Sequence, residues 1–95
     1  MLRIFRDMVT GREDYHFVDI GCGKGRALIV AENCGFRRLT GIELYPELLA
    51  AAGKNVEGFA MRRADSVITL LQANAVSYEY QDEPCVYFLF NPFNG

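Results

Sequence analysis

Residues 16–26, HFVDIGCGKGR, decide how this chain is read. His16 to Ile20 form a short apolar run, interrupted by Asp19, that stops at Gly21. Such a run, bounded by glycine, predicts a strand buried on both faces of a sheet. Gly21, Gly23 and Gly25 then alternate with Cys22 and Lys24. Three alternate glycines let the backbone turn sharply, and they leave no Cβ to hold a ligand off the main chain. From Lys24 to Cys34 a helix is expected, since Ala27, Leu28, Ala31 and Cys34 recur at helical spacing, with Gly35 placed to cap the end. That helix aims its free N–H groups back at the glycine turn, so a ligand position is built into the unit.

Working outward, Arg38–Glu43 (RLTGIE) is a second strand candidate that again ends in an acid. Pro46 suits the first turn of a following helix, and Glu47 suits its positive end. Gly53 and Asn55 both weaken that helix and predict that it is short. Gly58–Arg63 reads as a third strand. Asp65 or Ser66 could then cap a helix through Val67, Ile68, Leu70 and Leu71. Val76, Tyr78 and Tyr80 lie in a loop or a marginal strand, and Cys85–Phe90 (CVYFLF) is a fourth strand, apolar throughout, that runs into NPFNG. Before all of these, residues 1–14 hold a short amphipathic helix through Leu2, Phe5 and Val9, and a turn. Strands alternating with helices predict an α/β fold, a parallel sheet with helices on both faces.

A length of 95 residues allows one domain, spanning 1–95, and not two. The net charge of −2 gives no global reason to bind nucleic acid or an anionic membrane. The pairs Arg37-Arg38 and Arg62-Arg63 read as solvated strand ends. Three cysteines without close pairing, and a single histidine, argue against a disulfide framework and a zinc site. They point to a reducing, cytoplasmic setting with no metal. Cys22 has no adjacent base and reads as a small residue in the turn. No apolar run approaches membrane-spanning length, and no basic-then-apolar leader is seen.

The glycine turn has three competing readings. A phosphate-binding P-loop needs Gly where Val18 stands and a hydroxyl where Gly25 stands, and it fails. A dinucleotide fingerprint needs Gly at position 26, where this chain has Arg; binding of NAD survives as a minor option. The third reading fits. Asp19-x-Gly21-x-Gly23-x-Gly25 after the first strand, with Glu43 ending the second, resembles the class I S-adenosylmethionine-dependent methyltransferases.

That resemblance implies a Rossmann-like sheet of about four strands in the order 3-2-1-4, truncated relative to the family's seven. It implies S-adenosylmethionine as cofactor, with Asp19, Gly21, Cys22, Gly23 and Gly25 at its methionine end and Glu43 on the ribose hydroxyls. Leu44 and Tyr45 would lie beside the adenine. Asp65 would accept from the adenine amino group, with Ala64 and Ser66 supplying backbone contacts, although Asp65 also suits a helix cap. Asn91-Pro92-Phe93 resembles the family's Asn/Asp-Pro-Pro-aromatic motif, with one proline fewer. It implies an acceptor amino group held at Asn91 and Pro92, stacked on Phe93, and nearest the methyl. The expected function is methyl transfer to an unidentified acceptor. A non-catalytic S-adenosylmethionine-binding or interaction module is the alternative. With order 3-2-1-4 the 85–90 strand becomes an edge, which a second copy or a C-terminal half would cover.

Overall fold

In chain order the elements are β1 (His16–Ile20), α1 (Arg26–Cys34), β2 (Arg38–Glu43), α2 (Pro46–Phe59), β3 (Val67–Gln72) and β4 (Cys85–Leu89). This is a computed structural model, and it describes residues 14–59, 65–74, 78 and 84–89. The strands form one sheet in the order β3-β2-β1-β4. All three pairings are parallel: Phe17 stands opposite Leu39 and Val86, and Thr40 opposite Thr69. The expected order of 3-2-1-4 is therefore the observed one.

Side chains alternate across the pleat. Phe17 and Asp19 on β1 share a face with Leu39, Gly41 and Glu43 on β2. That face carries the core, in which Phe17, Leu28, Ala31, Phe36, Leu39 and Ala52 are fully or almost fully buried. Each large apolar side chain removed from water contributes about 1.5–3 kcal/mol. Phe17 packs on Phe36 at 5.0 Å and on Phe88 of β4 at 6.2 Å between ring centres. Gly41 lets α1 come down onto the sheet: a Cβ there would stand 2.6 Å from Leu28 Cδ1 and 2.9 Å from Cys22 Sγ.

Helices α1 and α2 lie side by side on this face, since a Cβ on Gly25, at the head of α1, would meet Ala52 of α2 at 3.3 Å. The other face holds a hydrogen bond between His16 Nε2 and Thr40 Oγ1 at 2.6 Å. Val18 and Ile42 are buried there, whereas Tyr87 and Leu89 on β4 are exposed. The helix expected over the first nine residues lies outside the described residues, as do 60–64 and 75–77. Among the described residues no helix is long and apolar enough to cross a membrane.

Three expected elements are corrected. Helix α2 is not short; it runs from Pro46 through Gly58 to Phe59, which takes the start of the expected 58–63 strand. The third strand is Val67–Gln72, where a helix was expected. Apolar residues at 67, 68, 70 and 71 satisfy either period over so short a run, and the β-branched Val67-Ile68-Thr69 favours the pleated one. The helix after Gly25 begins at Arg26 rather than Lys24.

Candidate functional site

Parallel strands bring their C-terminal ends to one edge, and that edge is where the chain is chemically unusual. β1 delivers the glycine turn, β2 delivers Glu43, Leu44 and Tyr45, and β3 delivers Ala73 and Asn74. Ala73 N–H donates to the Glu43 carbonyl at 3.1 Å, which carries the β2–β3 pairing one residue past the strand.

The turn is held by its backbone. Gly21 and Cys22 N–H both donate to the Ile42 carbonyl, at 2.8 and 2.9 Å, and Gly25 N–H donates to the Cys22 carbonyl at 2.9 Å. Gly21, Gly23 and Gly25 have φ of 75°, 53° and 83°, a left-handed region that L side chains rarely enter. A Cβ built on Gly21 or Gly23 would meet nothing within 4 Å. The space above the turn is thus open to a ligand that lies on the main chain.

Glu43 closes the other side. It is 6% exposed, and its carboxylate accepts from Gly23 N–H through Oε1 at 2.8 Å and from Tyr45 N–H through Oε2 at 3.1 Å. A carboxylate offers about four acceptor positions, so each oxygen keeps capacity for a ligand hydroxyl. Asp19, 2% exposed, lies at the end of β1 beneath the turn. Burial first, and then the Glu43 charge, push its carboxyl up from 3.8 to about 7. Burial, followed by the Asp19 and Glu43 charges, pushes the Cys22 thiol up to about 12. Cys22 therefore stays a thiol at neutral pH and is no nucleophile. Leu44 and Tyr45 stand 50% and 59% exposed beside the turn.

Of the residues expected at the site, Asp19, Gly21, Cys22, Gly23, Gly25, Glu43 and Leu44 meet at this edge. Asp65 and Ser66 do not. They precede β3 rather than follow a third strand, because the strand is 67–72 and not 58–63. That places them at the N-terminal edge, roughly 20 Å along the strands from the turn. There Asp65 pairs with Arg37 Nε at 3.5 Å, and Ser66 Oγ donates to Glu32 Oε2 at 2.7 Å. Ala64, Asn91, Pro92 and Phe93 lie outside the described residues. Ala73 and Asn74 were not anticipated, since reading 67–71 as a helix hid the strand end they occupy. Among the described residues no group of three or more His, Cys, Asp or Glu could hold a metal ion.

A parallel sheet of this order, with an open glycine turn after β1 and an acid ending β2, defines a Rossmann-like domain of the methyltransferase type. The family model of the methyltransferase domain matches residues 18–90, and the chain belongs to that family. It is 45% identical over 40 residues to the ribosomal protein L11 methyltransferase of Burkholderia mallei, a stretch covering 42% of this chain and 13% of that protein. The 23S rRNA methyltransferase ErmE superposes with a TM-score of 0.72 at 18% identity, over 96% of this chain and 34% of ErmE. An S-adenosylmethionine-dependent methyltransferase from Mesorhizobium loti gives 0.68 at 24%, over 92% of this chain and 37% of the other. The chain thus spans only about a third, or less, of the length of these proteins.

Proposed function

We propose that this chain binds S-adenosylmethionine along the C-terminal edge of its sheet, and serves methyl transfer to an amino-group acceptor. The observation that carries the reading is Glu43 bonded to Gly23 N–H at the mouth of an open glycine turn. A phosphate would need that N–H and would face the Glu43 carboxylate, so a nucleoside polyphosphate or dinucleotide fits poorly. A cation bearing vicinal hydroxyls fits well, and S-adenosylmethionine combines a sulfonium and an ammonium with a ribose.

In this arrangement the methionine end lies on Gly21–Gly25 above Asp19, and Glu43 accepts from the ribose hydroxyls. Leu44 and Tyr45 offer apolar surface to the base. Ala73 and Asn74 take the place first assigned to Asp65, with the Asn74 side-chain oxygen as acceptor for the adenine amino group. The cofactor supplies an activated methyl, and the chain's own contribution at this edge is to bind and orient it. Asn91-Pro92-Phe93 come shortly after β4 in the sequence, and on the family resemblance they face the acceptor. β4 is the outer strand beside β1, with Leu89 70% exposed, and a further strand from a second copy or a longer chain would cover it. A reducing, cytoplasmic setting suits the three free cysteines.

Calorimetric titration with S-adenosylhomocysteine tests the reading, with NAD as the comparison. Saturable heat with the first and none with the second is expected. No heat with S-adenosylhomocysteine at millimolar concentration would overturn the assignment.

A further inference from the structure

Asn55 lies inside α2, where asparagine is a poor helix former and was expected to shorten the helix. Its side chain is engaged elsewhere: Nδ2 donates to the Lys24 carbonyl at 2.9 Å. Three residues earlier on the same helix, Ala52 is the contact that a Cβ on Gly25 would meet at 3.3 Å. Residues three apart share a helix face, so α2 presents a small side chain and an amide donor together to the Lys24–Gly25 peptide. The same peptide's N–H, on Gly25, is held by the Cys22 carbonyl. Both of its polar groups are therefore fixed, the oxygen by α2 and the nitrogen by the turn itself.

This matters because the glycines that make the turn possible also make it easy to deform. With φ of 53° at Gly23 and 83° at Gly25, the peptides on either side of Lys24 can rotate with little steric penalty. A rotated Lys24–Gly25 peptide would swing its carbonyl away from α2. Among the described residues, the other ties of the turn run to β2, through the Ile42 carbonyl and the Glu43 carboxylate on residues 21–23, and into α1, where Ile29 N–H donates to the Gly25 carbonyl at 3.2 Å. Asn55 acts on the other half.

We infer that Asn55 is a positioning residue for the cofactor turn, its amide anchoring the Lys24 carbonyl to α2 so that the turn keeps its binding shape without ligand. The inference rests on the reading that S-adenosylmethionine binds at this turn, and it adds a residue that touches no part of that ligand. The test separates it from a merely structural role. Asn55→Ala removes the donor, and Asn55→Asp keeps the shape but offers only acceptors to the carbonyl. Both should raise the Kd for S-adenosylhomocysteine roughly threefold to tenfold, the worth of one net hydrogen bond. Both should also speed amide exchange at Gly25. Gly53→Ala supplies the control, because its Cβ would meet only Leu70 Cδ1 at an ordinary 3.9 Å and alanine strengthens the helix. In the pair Gly53→Ala with Asn55→Ala, thermal stability should equal or exceed that of the wild type while the Kd stays raised. Affinity that returns together with stability would overturn the inference, as would unchanged Kd in both single variants. If the wild-type chain itself shows no binding, the cofactor reading fails, and Gly25 exchange decides the positioning role: no acceleration in either variant refutes it.

Discussion

Replacing Glu43 by alanine is the perturbation from which the structure draws most. Two backbone donors lose their acceptor at once, Gly23 N–H at 2.8 Å and Tyr45 N–H at 3.1 Å. Hydrogen bonds to a charged group are worth about 1.5–3 kcal/mol each, which gives a gross loss of about 3–6 kcal/mol. Two effects offset it. Water can reach the vacated donors at the open edge, and removing one of two neighbouring acids relieves Asp19, whose carboxyl the Glu43 charge helps to push up. What remains falls on the stability of the turn, whereas the affinity for S-adenosylhomocysteine should fall through the lost bonds to the ribose hydroxyls, by about 1–3 kcal/mol or roughly 5- to 150-fold in Kd. Glu43→Gln keeps one acceptor and should fall between wild type and Glu43→Ala. Calorimetry reads the affinity, and amide exchange at Gly23 in the ligand-free chain reads the latch. Wild-type affinity in both variants, together with unaltered exchange at Gly23, would refute the placement of this carboxylate at the site.

Asp19 gives a pH prediction. Its folded carboxyl, near 7, lies above the unfolded 3.8, so between those values the folded chain holds a proton that the unfolded chain releases. That contribution is complete below about pH 4, declines as pH rises through about 7, and has a ceiling of about 4 kcal/mol. Asp19→Asn should remove this slope, so the stability difference between variant and wild type must change from pH 4.5 to pH 8; a constant difference contradicts the burial argument. Gly41→Ala should destabilise by about 1–3 kcal/mol in chemical denaturation, because its Cβ has no room beside Leu28 and Cys22. A neutral effect would mean that α1 can lift freely. Cys22, buried and pushed up to about 12, should be alkylated by iodoacetamide later than Cys34 and Cys85, which are only half-buried. Early modification of Cys22, mapped by mass spectrometry, would count against its burial.

The half of the site on β1 and β2 was legible because glycine and strand-end acids carry meaning at the level of single residues. Asp19, Gly21, Gly23, Gly25 and Glu43 each stand where the spacing put them. The β3 half was not legible. VITLLQ is too short for its apolar pattern to choose between helix and strand, and reading it as a helix put the third strand nine residues upstream, at 58–63 instead of 67–72. Asp65 was carried to the wrong end of the sheet by that one shift, and Asn74 was overlooked. Asn55 failed for a different reason. Helix propensity counts only what a residue does to its own helix, and here the side chain acts on a turn 31 residues away in sequence. The bond between Glu43 and Gly23 likewise joins two motifs that the sequence presents as separate.

The bare backbone at Gly41 works like a spacer of zero thickness in a machine. It shares a strand face with Glu43 two residues on, and it sets the height at which α1, and the turn feeding it, ride over β2. A methyl group there would stand 2.6 Å from Leu28 Cδ1, a side-chain tip that can turn aside, and 3.1 Å from Cys22 Cβ, which belongs to the glycine turn itself. Relief of the contact at Cys22 shifts the turn, and with it the Gly23 N–H that is seated 2.8 Å from Glu43. The seating of the turn is therefore set in part by a strand residue outside it, through the closeness with which one helix and its leading turn stack on the sheet.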